Sequence, residues 1–433
     1  MSFHFFFANK GDFLLNKIPS IVAISTSRKL SSNASCAMRI RRDSDDAELD
    51  VGFAGNSIDN KAIKDFGGYN LLGYTEDLSN SSWGVSSNVS ITHNKSDFKG
   101  GNNASQLDFS GTGIFKQTVN ILSNIYNHDK IVASIYIKGI SGETVKIETR
   151  SPGDYVRQKF ITFTGNWQRI DNASATVLDL GTTPSNTIFN LRRDSPNTVT
   201  SCLIYQPQVE INSTGNVTDY QPRTAGGASN CFLTTLYDQS GNRNHANQTV
   251  VINQPKVYDV LIGEVIKENG KPAMVIDGVD DHLLIPNVAG RSNIDAYFVN
   301  RHNPSLNSNN SAATRYIYPS KNIAGTYGFV VQKGSNSTTI TSNYGSPNFY
   351  KNNILFAGTT RNDIYEFLGQ TQNIINHRGG NVASWNSFNF GSFATNTFNF
   401  EGTLQEIIIF DRNLNTKERN LLHSDINNHF NIY

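Results

Sequence analysis

The sequence predicts an all-β fold of the jelly-roll sandwich kind, with a short helix at the C-terminal end. Three observations carry this. Short runs alternating apolar and polar residues recur along the chain, with Gly, Asn and Pro between them. Charged residues are sparse at 17% while Asn, Ser, Thr and Gly abound and aromatics reach 11%, a mixture that suits strands joined by polar turns. Near the end the apolar spacing lengthens to four. At 433 residues the chain is long for one core and comfortable for two or three.

Taken in order, Pro19 suits the first turn of a short helix reaching Ile24, because its missing N–H costs nothing there. Arg28 to Leu30 and Met38 to Arg42 read as strands, the second setting Met38 and Ile40 against Arg39 and Arg41. Arg39, Arg41 and Arg42 beside Asp43, Asp45 and Asp46 read as a polar face of ion pairs in preference to an anion site. Asp59 ahead of Ala62, Ile63 and Phe66 fits a short capped helix.

At Gly67-Gly68 the character of the sequence changes. Strands follow at Lys130 to Lys138, Val145 to Thr149, Lys159 to Thr164, Trp167 to Ile170, Thr187 to Leu191 and Ser201 to Val209, and no helix is needed. Beyond Gly226-Gly227 a further series occupies Val250 to Ile252, Ala273 to Ile276, Leu283 to Ile285, Ala296 to Val299, Tyr316 to Tyr318 and Gly328 to Gln332. It continues through Ser337 to Ser342, Ile354 to Gly358, Ile364 to Leu368 and Thr403 to Phe410, with an exposed polar loop at Asn303 to Ser311. The end is helical: Asn415 caps, Glu418 reaches back, and Leu422, Ile426 and Phe430 share the face that packs on the sandwich.

The most structured stretch is Leu236 to Gln248. Leu233, Leu236 and Tyr237 run into Asp238, Gln239, Ser240, Gly241 and Asn242, a strand ending in a tight loop. Asp and Asn side chains bond nearby backbone N–H groups and Gly supplies positive φ, so the loop holds a fixed shape. Farther on, Asp277, Asp280 and Asp281 around Gly278 have two readings: oxygen ligands for a structural Ca²⁺, or a tight turn whose carboxylates accept backbone N–H groups. The turn is the simpler of the two.

Tyr237 to His245, Gln254-Pro255-Lys256, Asn269 to Ala273 and Asp277 to Asp281 together resemble a concanavalin-like β-sandwich. The pattern is most similar to domains like the catalytic domain of fungal α-L-arabinofuranosidase B, which recur without the enzyme's context in bacteriophage virion proteins. The segment that the family places just before this loop lies far upstream here, at Ser27 to Leu30, Met38 to Asp46 and Asp50 to Phe53. A whole domain's length of chain separates the two halves. The resemblance therefore implies a discontinuous sandwich of residues 1–68 and 227–433, interrupted by residues 69–226.

The interruption itself is similar to carbohydrate-binding-type jelly rolls of phage tail and fibre proteins. It opens Asn70-Leu71-Leu72-Gly73-Tyr74-Thr75-Glu76-Asp77-Leu78, with Trp83 soon after, and carries Tyr136-Ile137-Lys138-Gly139 and Trp167-Gln168-Arg169. It closes with Gln208-Val209-Glu210 and Tyr220-Gln221-Pro222-Arg223-Thr224. Trp83, Tyr136 and Trp167 have two readings, as flat faces for sugar rings or as core aromatics. In the host domain the candidate glycan contacts are Asp238, Gln239, Asn242, Asn244 and His245.

Catalysis is not expected. A retaining glycosidase of this family needs two carboxyl groups about 5 Å apart. The pattern that holds the family's nucleophile becomes Gln332-Lys333-Gly334, and the stretch that holds its acid/base, Trp385 to Phe400, contains no Asp or Glu. Glu366, Glu401 and Glu406 remain in the same half, with Glu406 read as structural. No phosphate loop, Cys/His metal spacing or Ser/His/Asp signature competes.

A formal net charge of +1 gives no reason to expect nucleic acid or an anionic membrane as partner. Cys36, Cys202 and Cys231 are odd in number and widely spaced, which signals neither disulfides nor zinc. The apolar run Phe3 to Phe7 is too short for a signal core or a membrane span. Phe3, Phe5, Phe6 and Phe7 instead mark a docking arm, or fold back on their own sandwich. The implied setting is the surface of a bacteriophage particle, as a fibre or a capsid or tail decoration. The implied partners are other virion proteins, host or mucosal glycans, and further copies of the chain. No cofactor is implied beyond a structural Ca²⁺.

Overall fold

The computed structural model describes residues 13–120, 131–150, 156–173, 176–178, 186–211, 215–223, 226–260, 262–303, 315–320, 327–331, 348–385, 387–391 and 400–433. The fold is all-β, with antiparallel pairing throughout the described ladders. Strands from residues 22–58 and 231–410 hydrogen-bond into one system, apart from a small ribbon of Lys267–Glu268 with Lys271–Pro272, and strands from residues 84–211 into a six-stranded and a five-stranded sheet of their own.

In the first system the spine is strand Ile294–His302, paired on one side with Gln372–Gly380 and on the other with Glu401–Phe410. Glu401–Phe410 also takes Val22–Ser25 and Met274–Asp277 along its length. The opposite layer pairs Glu48–Ala54 with Cys36–Arg42, and that strand with Cys231–Leu236. Ile40, Leu233, Ile276, Phe298 and Ile407 meet between the layers, all fully buried.

Strand Ile294–His302 is buried on both faces because a second apolar layer covers its outside. Tyr297, Val299, Ile408 and Phe410 pack there under Leu422, Ile426 and Phe430 of helix Thr416–Phe430 and under Leu14 and Leu15 of helix Leu14–Lys17. Asn415 and Glu418 form the expected capping box on the long helix. Asp59 likewise caps helix Asn60–Gly67 by accepting the Ala62 N–H.

The inserted sheets run 176–178, 156–162, 144–150, 186–193, 113–120, 84–85 and 168–171, 131–139, 201–211, 104–109, 89–95. All six strands expected there are present, and no helix occurs among the described residues of the insert. Strands Val89–Lys95, Ala104–Phe109 and Gly113–Asn120 were not anticipated. The sheets of the two units are separate, but their buried apolar residues form one continuous cluster across the junction at Leu71, Leu72 and Tyr258. The crossings lie side by side: Ala228 N–H donates to Asn70 O at 2.7 Å, and the Tyr258 hydroxyl to Gly68 O at 2.6 Å.

Several local expectations are corrected. Residues Val22–Ser25 are a strand and not a helix after Pro19, because the backbone N–H and C=O groups of this wholly buried segment need the ladder of Glu401–Phe410. Arg28 to Leu30 contribute one isolated bridge, between Arg28 and Ser57. Val251–Asn253 is a 3-10 turn with Val251 and Ile252 exposed. Ile364 to Leu368 belong to helix Arg361–Leu368, where Thr360 and Asp363 form a capping box that outweighs the apolar run. Strand Gln372–Gly380 was missed.

Arg41 is buried and binds Asp43 and Asp46, and Arg42 binds Asp45, as the polar-face reading requires. Among the cysteines, Cys202 and Cys231 are buried and Cys36 half-buried, all free. Among the described residues no helix is long and apolar enough to cross a membrane. Phe3, Phe5, Phe6 and Phe7, the strand expected at Ser337 to Ser342, most of the loop at Asn303 to Ser311 and the triplet Gln332-Lys333-Gly334 lie outside the described residues.

Candidate functional site

The loop after strand Cys231–Leu236 is built around one carboxylate. Asp238 accepts the N–H groups of Ala23 (2.8 Å), Ser240 (3.0 Å) and Asn244 (3.0 Å) and the Ser240 hydroxyl (2.7 Å). Gln239 accepts Leu30 N–H at 2.7 Å and donates to Arg28 O at 3.1 Å. Asn242 and Asn244 donate to Ser20 O and Ile21 O, and His245 Nδ1 accepts Asp238 N–H at 3.0 Å.

The loop thus clasps residues 20–30 to the resumed half of its domain. Asp238, Gln239 and Asn244 are buried, and half-buried His245 stands edge-on to Tyr237, so all four are engaged in holding the loop. Their hydrogen-bonding capacity is spent on backbone that would otherwise be buried unpaired. Asn242 alone of the five is exposed.

Trp83 is a core residue. It stacks on Phe115 with ring centroids 4.9 Å apart, stands edge-on to Phe189, and donates its Nε1–H to Tyr74 O. No flat face remains for a ligand.

Tyr136 and Trp167 are placed differently. Strand Ile131–Gly139 turns Ala133, Ile135 and Ile137 into the core, and by the two-residue period Tyr136 lies on the outer face of the five-stranded sheet. Its neighbours in register are Arg169 on one side and Tyr205 on the other. Phe98 leans over this row, 4.5 Å from Tyr136 and 5.9 Å from both Trp167 and Tyr205, centroid to centroid. Phe98 is 39% exposed, while Tyr136 and Trp167 are half-buried, so the cluster faces solvent.

Phe98 was not foreseen. Its loop is held by Asp97, whose carboxylate accepts the N–H groups of Lys99, Gly101 and Asn103. Burial works against the Asp97 charge, but those N–H bonds hold the carboxyl below its ordinary range. The Asp-x-x-Gly-Gly pattern from Asp97 to Gly101 signalled a turn, but not the strand face it would cover. Two cations flank the rings: Lys99 Nζ lies 5.7 Å from Phe98 and 5.8 Å from Tyr205, and the Arg169 guanidinium 5.7 Å from Tyr136.

Carboxylates gather at the edge of the other unit. Asp277, Asp280 and Asp281 have oxygens within 4.8 Å of one another. Asp281 accepts Asp277 N–H, and Asp277 accepts the N–H groups of Val279 and Asp280, which is the bonding of a closed turn. Burial and the Asp277 charge push the Asp281 carboxyl up to about 8. A recess of about 230 Å³ nearby is lined by Glu268, Asp277, Arg301 and Glu401, with Asp277 and Glu401 directly opposite on paired strands. Glu406 is elsewhere, buried against Arg28.

No family model matches the chain, and no curated protein is a significant match to it. Among solved structures, the module TmCBM61 in complex with β-1,4-galactotriose aligns over 34% of this chain and 100% of its own, at 13% identity and a TM-score of 0.25. The family 11 carbohydrate-binding module of a Clostridium thermocellum cellulosomal cellulase aligns over 33% of this chain and 95% of its own, at 18% identity and a TM-score of 0.25. The enzymatically active domain of bacteriophage CBA120 tailspike protein 4 aligns over 33% of this chain, at 12% identity and a TM-score of 0.26. The aligned part spans 21% of the tailspike's own length.

Proposed function

We propose that this chain is a non-catalytic, glycan-binding adhesion protein carried on the surface of a bacteriophage particle, in a fibre or as a capsid or tail decoration. The observation that carries the reading is the solvent-facing cluster of Phe98, Tyr136 and Trp167 on the outer sheet of the insert. Flat rings accept the axial C–H faces of a pyranose, and the flanking Lys99 and Arg169 supply hydrogen-bond donors at its edge. Weak single contacts gain strength when many copies are displayed together, so the functional form is a homo-oligomer held by other virion proteins. The particle setting rests on the sequence resemblance, and the lack of Asp and Glu from Trp385 to Phe400 supports holding without cutting.

A glycan array probed with the assembled full chain tests this. At least one glycan is expected to bind, and Phe98→Ala and Trp167→Ala are each expected to weaken it by about tenfold or more, the loss of ~1.4 kcal/mol. An empty array, or variants that bind like the parent, would overturn the assignment.

One observation favours a second reading, a hydrolase. Asp277 and Glu401 face each other in the recess beside Arg301. Directly opposed side chains on such strands have Cβ atoms about 4.5–5.5 Å apart, which lets their carboxyl groups approach the roughly 5 Å separation of a retaining pair. Against it, Asp277 Oδ1 is already engaged by two backbone N–H groups of its own turn. Release of nitrophenol from a panel of nitrophenyl glycosides, abolished by Glu401→Gln, would establish this reading. Silence in both assays would leave a purely structural scaffold.

A further inference from the structure

A second recess, of about 610 Å³, opens beside Ile21 in the host unit and is lined by Asn242, Asn244, Asn287 and Arg291. Its size is that of small-molecule sites, and its walls are mostly amide and guanidinium groups. The orientation of these groups is dictated in sequence. Ile21 O can only accept, so Asn244 must present its Nδ2 there, at 2.8 Å. Asn244 Oδ1 then faces the recess side and accepts Asn287 Nδ2 at 2.7 Å, which turns Asn287 Oδ1 outward.

Asn242 is fixed the same way, its Nδ2 donating to Ser20 O at 2.9 Å and leaving its Oδ1 as an acceptor. Arg291 donates Nε–H to Asn287 O and one Nη1–H to Asp411, both at 3.1 Å, and keeps its Nη2 hydrogens without a partner among the described residues. Two oriented acceptors and one donor edge therefore line the same recess, Asn242 and Asn244 held by residues 20–21, Asn287 by Asn244, and Arg291 by Asn287 and Asp411.

We infer that this recess is a second saccharide site, which takes one neutral sugar ring through hydrogen bonds. Hydroxyl groups both donate and accept, so a vicinal diol satisfies an amide oxygen and the guanidinium together. The Arg291 charge is already balanced by Asp411, which removes the pull for a phosphate or carboxylate. The same cation opposes a metal ion at the amide oxygens. The recess offers hydrogen bonds with only Ile21 and Ala289 as an apolar wall, whereas the insert offers rings, so the two sites are independent in chemistry and in location.

The test is saturation-transfer NMR on the full chain with methyl α-L-arabinofuranoside and the methyl pyranosides of galactose, glucose and mannose. At least one is expected to receive saturation and to bind about tenfold more weakly to Asn287→Gly and to Arg291→Gln, the loss of roughly one hydrogen bond each. Asn287 has a φ of +59°, so glycine removes the amide without straining the backbone. Arg291→Gln alters a half-exposed side chain and keeps the test alive should the glycine variant fold poorly. Trp167→Ala, which disables the ring cluster of the insert, separates the two sites: the Asn287→Gly and Arg291→Gln losses are expected to persist in its background. Saturation of none of the four glycosides, or parent-like binding by both recess variants in that background, would overturn the inference.

Discussion

Arg28 and Glu406 are clasped by two parallel hydrogen bonds, Nε to Oε2 at 2.8 Å and Nη2 to Oε1 at 2.7 Å, with side chains only 9% and 1% exposed. The remaining Nη1 reaches Asp425 of the C-terminal helix at 2.5 Å. Burial alone would lower the Arg28 pKa, but the two carboxylates override it and the net shift is upward. One side chain near the start of the domain thereby fixes the closing strand and the helix that covers it.

Arg28→Met leaves Glu406 buried without its counter-charge and is expected to cost about 3–5 kcal/mol in urea unfolding. Adding Glu406→Gln to that variant removes the stranded charge and should recover part of the loss. A double variant as unstable as the sum of its parts would show that the two residues act separately.

Asp238→Ala unpairs the N–H groups of Ala23 and Asn244 in the clasp. The expected cost is roughly 2–4 kcal/mol, seen as a lower urea midpoint with an unchanged slope. Glycan binding by the insert, measured where the variant is still folded, should not move. Parent-like stability would mean that the loop does not hold residues 20–30.

The two chain crossings between the units lie within hydrogen-bond distance, through Asn70 with Ala228 and Gly67 with Ser229. Replacing residues 70–226 by a short glycine bridge should therefore leave a host unit that melts cooperatively, with near-ultraviolet circular dichroism still showing packed aromatics. A product without a cooperative transition would mean that the continuous apolar cluster at the junction makes the units interdependent.

Burial lowers the pKa of three histidines, His377 to about 3, His423 to about 4 and His429 to about 3, from the ordinary 6.5. Their neutral forms are native, so the unfolded chain takes up protons first as pH falls. The stability they contribute is present above about 6.5 and drains toward their folded values, about 2 kcal/mol each by pH 5. His429→Gln can keep a bond to the Ser27 hydroxyl and should flatten this acid slope. An unaltered slope would remove His429 from the account.

Asp281 acts with the opposite sign. Its folded pKa of about 8 lies above the ordinary 3.8, so the native state holds a proton that the unfolded chain has released. Stability from this group is full below about 3.8 and is lost as pH rises through about 8. Asp281→Asn should retain the acceptor for Asp277 N–H and raise the melting temperature at pH 8 more than at pH 4. Equal effects at the two pH values would contradict a protonated Asp281.

The candidate surface was half legible. Tyr136 and Trp167 stand on alternating runs whose period assigns a face, but Phe98 joins them from a loop that crosses from another strand. Trp83 was as open to a sugar-facing reading as Trp167 and ended in the core, because only the packing of Phe115 and Phe189 decides which ring is covered. Strand Gln372–Gly380 has few apolar residues and is set by the ladders on both its sides. Helix Arg361–Leu368 did carry its signal, Thr360 with Asp363, beneath a run that also suits a strand.

What the amino-acid order determined by itself is whatever depends on near neighbours: strand periodicity, the capping box at Asn415, the N-cap at Asp59, and the self-bonded loop from Asp238 to Asn244. Only the tertiary structure decided what depends on partners hundreds of residues away. It turned polar residues that looked like ligand contacts into clasps on Ala23, Ile21 and Leu30, and it left Asn242, Asn287 and Phe98 facing water. The reason is that a side chain's hydrogen-bonding capacity is fixed by its type, whereas the group that satisfies it is chosen by which buried backbone would otherwise be left unpaired.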